Sequence, residues 1–155
     1  MGEPAMTALS PSEYNAILRS DLGFFAQRCF SELNPQAAFA PNWHLEIIAA
    51  KLTAVREGKI RRLIINLPPR HLKSLLASIA FPAWCLGHDP SAQFLSVSYA
   101  QDLADKLARD CRAIMMSPCE WYDHTLYSRL NDKRYGAIVI VMQRGAPRRF
   151  RRLPE

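Results

Sequence analysis

The sequence has no uninterrupted apolar run of the roughly 18 residues that a membrane-spanning helix requires. Residues 1–4 lack the basic start and the apolar core of a secretion signal. None of the four cysteines belongs to a C-x-x-C pair, so we expect buried, reduced thiols rather than disulfides or a zinc site. These absences predict a cytoplasmic protein with no membrane partner.

The chain has 155 residues, which is enough for one domain with one core. Its net charge is +6, and residues 144–155 hold five arginines against one glutamate, so +4 of that charge lies at the end of the sequence. A basic balance suggests a nucleic-acid partner. A short arginine-rich end is weaker evidence, because such a segment can simply be solvated.

The most informative stretch lies in the middle of the chain, at residues 63–74. A short apolar run at 63–67 is followed by two prolines, a Lys-Ser pair and an amphipathic stretch. Strand, loop, Lys-Ser and helix are the layout of a phosphate-binding P-loop. However, Leu67 and Leu72 stand where such a loop has glycines. An ordinary strand–turn–helix with a chance Lys-Ser therefore remains an alternative.

Helical spacing and strand-like runs alternate along the sequence. Helices are predicted over 11–32, from 42 to a stop at Gly58, over 74–85, from a capping box at Ser98 to about Met116, and again after Ser117. The first begins with a capping box of Ser10 and Glu13, and the third should bury Leu75, Leu76, Ile79 and Ala83. Strands are predicted over 63–67, 93–97 and 136–142. This order predicts an α/β fold in which helices flank a parallel sheet of about three strands.

Two aromatic residues at the start of the second helix, Trp43 and His44, allow two interpretations. The commoner one is that Trp43 packs and His44 lies at the surface or caps the helix. The other is that they lie near a nucleotide base, because they just precede a P-loop strand.

The linked motifs resemble one protein family. Residues 66–74 (Asn-Leu-Pro-Pro-Arg-His-Leu-Lys-Ser) resemble the deviant Walker A loop of phage terminase large subunits, the motors that drive DNA into capsids. Phe-Pro-Ala-Trp at 81–84, Gly-His-Asp-Pro at 87–90 and Val-Ser-Tyr at 97–99 are similar to that family in the same order. The resemblance covers about residues 10–144. It implies a P-loop NTPase fold, with 1–9 as a lead-in and 145–155 as a basic tail.

The resemblance implies roles for individual residues. Lys73 would hold the β- and γ-phosphates of ATP, Ser74 would ligate Mg²⁺, and Arg70 would sense or stabilise the γ-phosphate. Pro69, His71 and Leu72 complete the implied phosphate-binding loop, and Trp43 and His44 would lie near the adenine. Gln143 and Arg144 would couple the state of the γ-phosphate to motion. The implied partners are double-stranded DNA, a small terminase subunit and a portal, in an oligomer.

The sequence departs from this family because its predicted strands lack the carboxylates that bind Mg²⁺. No predicted strand ends in Asp or Glu, whereas phosphoryl transfer needs a carboxylate that holds Mg²⁺. Asp102 and Asp105 are predicted on a helix, as part of a solvated face. The family's segment with that acidic strand is missing across residues 117–120, and no nuclease domain follows Arg144. We therefore expect an internally deleted, truncated terminase ATPase from a prophage in a bacterial host, with weak or no hydrolysis.

An alternative is a non-enzymatic prophage remnant, which is either poorly folded or a small basic protein that binds DNA or another subunit. This alternative predicts salt-sensitive DNA binding that is lost when residues 145–155 are deleted.

Overall fold

The computed structural model describes residues 10–117 and the backbone of a strand at 138–142. The described chain is predominantly helical. Its elements are α1 (Pro11–Ser20), α2 (Leu22–Leu33), α3 (Trp43–Arg56), a π-helix (Leu75–Ala80), α4 (Phe81–His88), β1 (Phe94–Ser98), α5 (Gln101–Met116) and β2 (Ile138–Met142). No helix in these residues is both long and apolar enough to cross a membrane. The predicted helix after Ser117, the lead-in and the basic tail lie outside the described residues.

The single helix predicted over 11–32 is wrong, because Asp21 divides it into α1 and α2. Asp21 is extended, with φ −130°, and its carboxylate accepts a hydrogen bond from the N–H of Phe24 at 3.0 Å. It thus caps the start of α2. The predicted capping box of α1 is confirmed: Ser10 Oγ accepts from the N–H of Glu13, whose carboxylate accepts from the N–H of Ser10. The sequence signal was therefore correct for the start of α1 and missed the second cap.

The helix predicted over 74–85 is present but irregular, and it extends to His88. It begins as the π-helix, whose end is marked by an i→i−5 hydrogen bond from the N–H of Phe81 to the carbonyl of Leu76. Pro82, which has no N–H, lies in the first turn of α4. Because proline has no N–H, it cannot donate the backbone hydrogen bond that a regular α-helix would form here. The π-helix lies directly before this position.

The three strand predictions and one cap prediction have different outcomes. The strands β1 and β2 pair in parallel, with Phe94 opposite Ile138 and Ser98 opposite Met142. Residues 63–67, the first predicted strand, form no regular strand in the described chain. Ser98 does not cap α5, because it is the last residue of β1; the N-cap residue is Ala100, which has no side-chain cap bond.

The core lies where α2, α3, the π-helix, α4 and α5 meet. The largest side chain in it is Trp84, which is 1% exposed and donates its indole N–H to the carbonyl of Leu18 at 3.0 Å. Cys85 and Cys111 are buried thiols, and burial raises their pKa to about 11 and about 12 respectively. Both thiols are therefore protonated at neutral pH and are inert nucleophiles. Cys119 lies outside the described residues.

Candidate functional site: the Lys73 loop

The Lys73 loop (residues 68–74) connects the extended 63–67 segment to the π-helix. Pro69 and Arg70 form a turn, His71 and Leu72 a bend, and the helical hydrogen bonding begins at Lys73. The N–H of Leu76 donates to the carbonyl of Leu72 at 3.0 Å. The loop therefore leads directly into the first turn of a helix, where unpaired N–H groups are available to an anion.

Two residues of this loop adopt left-handed backbone conformations although neither is glycine. Arg70 has φ 66° and Leu72 has φ 56°. Such a conformation costs an L-residue about 1–2 kcal/mol, and strain of this kind concentrates at ligand-binding sites. Alternation of left- and right-handed residues turns successive N–H groups to one side, which makes a concave anion-binding nest. Leu72 thus occupies the glycine position of the motif in the backbone conformation that glycine adopts easily.

The side chain of Lys73 crosses the loop. Its ammonium donates a hydrogen bond to the carbonyl oxygen of Leu67 at 2.9 Å, and the side chain is partly buried. In the described residues Lys73 has no carboxylate partner. The positive charge is therefore held within the loop by a neutral acceptor, from which an anionic ligand could attract it.

The two other polar side chains of the loop face solvent. Ser74 is exposed, and its hydroxyl makes no hydrogen bond to a described residue. Arg70 is exposed as well and belongs to no ion pair in the described chain. Both groups are thus available to a ligand, a hydroxyl for a metal ion and a guanidinium for a phosphate oxygen.

A row of aromatic side chains leads away from the loop. The ring centroids of His71 and His44 are 5.5 Å apart, and those of His44 and Trp43 are 6.1 Å apart. His71 is itself positioned by a 2.9 Å hydrogen bond between Nδ1 and the carbonyl of Pro69. Trp43 is 71% exposed, so the interpretation that it packs in the core is wrong. The structure thus brings three predicted site residues together and leaves one indole face open.

A largely apolar cavity of about 490 Å³ lies between α2 and the start of α3, and its walls include Phe24, Phe39, Leu45 and Leu76. None of the three aromatic residues of the row lines it. The polar residues in its lining are Asp21, Gln27, Asn42 and Glu46. This volume and lining suit a flat aromatic group. The sequence predicted the aromatic residues near the loop but not this cavity, because its walls come from helices that are distant in the sequence.

Carboxylates do not converge on the loop in the described part of the chain. Within those residues no group of three or more His, Cys, Asp or Glu side chains could hold a metal ion. Asp102 and Asp105 are exposed on α5, and Gln101 donates to the carboxylate of Asp105 at 3.3 Å, which agrees with the predicted solvated face. Gln143 and Arg144 lie outside the described residues.

Comparison of the chain with models of protein families, with curated proteins and with solved structures found no match. The function of the site is therefore argued from its own residues and geometry.

Proposed function

We propose that the chain binds Mg²⁺–ATP through the Lys73 loop, as the nucleotide-binding part of a phage terminase large subunit. The observation that carries the proposal is the left-handed conformation of Leu72 directly before Lys73. An ordinary strand–turn–helix has no reason to hold a leucine in this conformation. A loop that must aim its N–H groups at phosphate does.

In this proposal each residue of the loop binds a different part of the ligand. The N–H groups of residues 71–74 bind the phosphate oxygens, and Lys73 leaves the carbonyl of Leu67 to neutralise the β- and γ-phosphates. Arg70 reaches the γ-phosphate and Ser74 supplies a hydroxyl to Mg²⁺. Trp43 and His44 lie on the side of the base, next to the cavity between α2 and α3. The fold that would follow is an α/β P-loop fold, which the parallel pair β1 and β2 supports.

Hydrolysis is expected to be weak or absent. Lys73 and Ser74 have no carboxylate partner in the described residues, and no predicted strand ends in Asp or Glu. Among the described residues, no carboxylate would then help Ser74 and the phosphates to hold Mg²⁺ or orient the attacking water. Double-stranded DNA, a small terminase subunit and a portal are the partners in this proposal, and a bacterial cytoplasm is the compartment.

Isothermal titration of the purified chain with ATP and Mg²⁺ tests the proposal. We expect saturable binding that weakens at least about tenfold in Lys73→Ala. Lys51→Ala is the matched control, because Lys51 is an exposed lysine on α3. Absence of ATP binding by the folded wild type, or equal affinity in Lys73→Ala, would overturn it. Phosphate release is measured in the same samples, and sustained turnover would refute the expected lack of hydrolysis.

A further inference from the structure

The 63–67 segment has the burial pattern of a strand. Leu63, Ile65 and Leu67 are partly buried and pack against the core, whereas Ile64 is 93% exposed and Asn66 is exposed. Alternation with a period of two is the pattern of a strand with one covered face. The exposure of Ile64 shows that only one face of this segment is covered.

The backbone of this segment has no partner in the described chain. Within those residues, no N–H or C=O of 62–66 takes part in a backbone hydrogen bond, and the carbonyl of Leu67 is bound by Lys73 instead. The sheet of β1 and β2 does not include the segment. An extended segment with unpaired backbone groups is a template for pairing with another strand.

Positive charge flanks the segment at both ends. Lys59, Arg61 and Arg62 precede it and Arg70 follows it, and all four are exposed. Lys59 pairs with Glu57, whereas Arg61, Arg62 and Arg70 belong to no ion pair among the described residues. In an antiparallel pairing of two copies of this chain, the arginines at 61 and 62 of one copy would approach Arg70 of the other. In a parallel pairing equivalent arginines would meet. Repulsion of like charges therefore disfavours self-association here.

We propose that residues 62–66 form a docking edge for an extended segment of a different polypeptide, in which a short apolar run lies between acidic ends. The partner's strand would bind by backbone hydrogen bonds, in the manner of β-augmentation. Its apolar side chains would cover Ile64, and its carboxylates would pair with Arg61, Arg62 and Arg70. This inference does not require nucleotide binding by the Lys73 loop, with which it shares Arg70.

A synthetic peptide, Asp-Asp-Val-Ile-Val-Ile-Asp-Asp, is the probe. Its fluorescein-labelled form is titrated with the full chain, and binding is measured by anisotropy. One control peptide has lysine in place of every aspartate, and a second has proline in place of the first isoleucine. We expect each control to bind at least about tenfold more weakly, because one reverses the charge and the other removes an N–H from the ladder. Equal binding by the lysine peptide would overturn the inference.

Substitutions in the chain test whether the peptide binds at residues 62–66. Ile64→Pro and Ile65→Pro remove N–H groups that point to opposite sides of an extended segment. At least one of them should weaken peptide binding about tenfold, whereas Ile47→Thr, a change at an exposed isoleucine of α3 away from the edge, should leave it within about threefold. The double variant Arg61→Glu with Arg62→Glu should also weaken binding. Wild-type affinity in both proline variants would overturn the inference.

If a proline variant does not fold, hydrogen exchange of the wild type tests the proposed docking edge instead. The amides of 62–66 should exchange rapidly in the free chain and slowly when the peptide saturates it. Slow exchange in the free chain would mean that the protein's own residues occupy the edge. That result, or no change on peptide binding, would refute the proposal.

Discussion

The ammonium of Lys73 lies 2.9 Å from the carbonyl oxygen of Leu67. The side chain of Lys73 therefore links the two ends of the loop. The contact has a structural role, since it satisfies a carbonyl that no strand partner takes. It also bears on the proposed function, because the charge that would bind phosphate is held within the loop. Changes at Lys73 should therefore affect stability as well as ligand binding.

We expect Lys73→Met to lower the free energy of unfolding by about 1 kcal/mol, the typical contribution of one hydrogen bond. Urea denaturation measures this quantity. The matched control is Lys51→Met, a change at an exposed lysine of α3 that should stay within about 0.5 kcal/mol of the wild type. Equal stability of the two variants would show that the Lys73–Leu67 bond contributes nothing in solution.

The left-handed conformation of Arg70 makes a second prediction. Arg70→Gly and Arg70→Ala both remove the guanidinium, but only glycine adopts φ 66° without strain. We expect the glycine variant to be more stable than the alanine variant by about 1 kcal/mol in urea denaturation. Since Arg70 is exposed, lost packing does not obscure the comparison. An alanine variant as stable as the glycine variant would contradict a left-handed residue 70.

The buried indole of Trp84 supports a third prediction. Trp84→Phe removes the hydrogen bond to the carbonyl of Leu18, which lies 66 residues earlier in the sequence, and leaves space in the core. We expect a loss of about 2–4 kcal/mol in the free energy of unfolding. Trp43→Phe is the control: Trp43 is largely exposed, so its replacement should cost less than about 0.5 kcal/mol. Similar losses in both variants would argue against the packing described here.

Local signals in the sequence predicted the helices well and the strands less well. The cap at Ser10, the stop at Gly58 with φ 74°, and the buried side of the π-helix (Leu75, Leu76 and Ile79) were all correct. These features depend on residues close together in the chain. The 63–67 segment failed as a strand because a strand also needs a partner, and the sequence of one segment does not supply it.

In the candidate site too, features that depend on neighbouring residues were predictable, whereas those that depend on packing were not. The residue types of the Lys73 loop predict a phosphate site, which stays a prediction, and the structure brings His44, which was predicted near it, close to His71. The missing glycines argued against the site, yet Leu72 adopts the left-handed conformation all the same. The contact between Lys73 and Leu67 and the cavity beside α2 depend on how the chain is packed. No local pattern contains that information.

The environment of His88 makes stability depend on pH. Its Nε2 is 2.9 Å from the carbonyl of Arg19, and its ring packs on Trp84 at 4.7 Å between centroids. Partial burial, followed by the positive charge of Arg56, lowers the pKa of the His88 imidazole. Arg56 is held nearby, with its guanidinium 4.8 Å from the Trp84 ring centroid. The hydrogen bond to Arg19 opposes the shift without cancelling it.

Because folding lowers the pKa of this imidazole, the unfolded chain binds a proton at His88 more readily. Stability should therefore be complete above about pH 7.5 and should fall as the pH drops through about 6.5, the ordinary value for histidine. His88→Gln keeps a side-chain N–H donor for the Arg19 carbonyl but does not titrate. Urea midpoints measured from about pH 7.5 to about pH 5.5 should thus decline less in this variant than in the wild type. Parallel declines in the two proteins would show that the lowered pKa of His88 does not contribute, since every other titrating group is common to both.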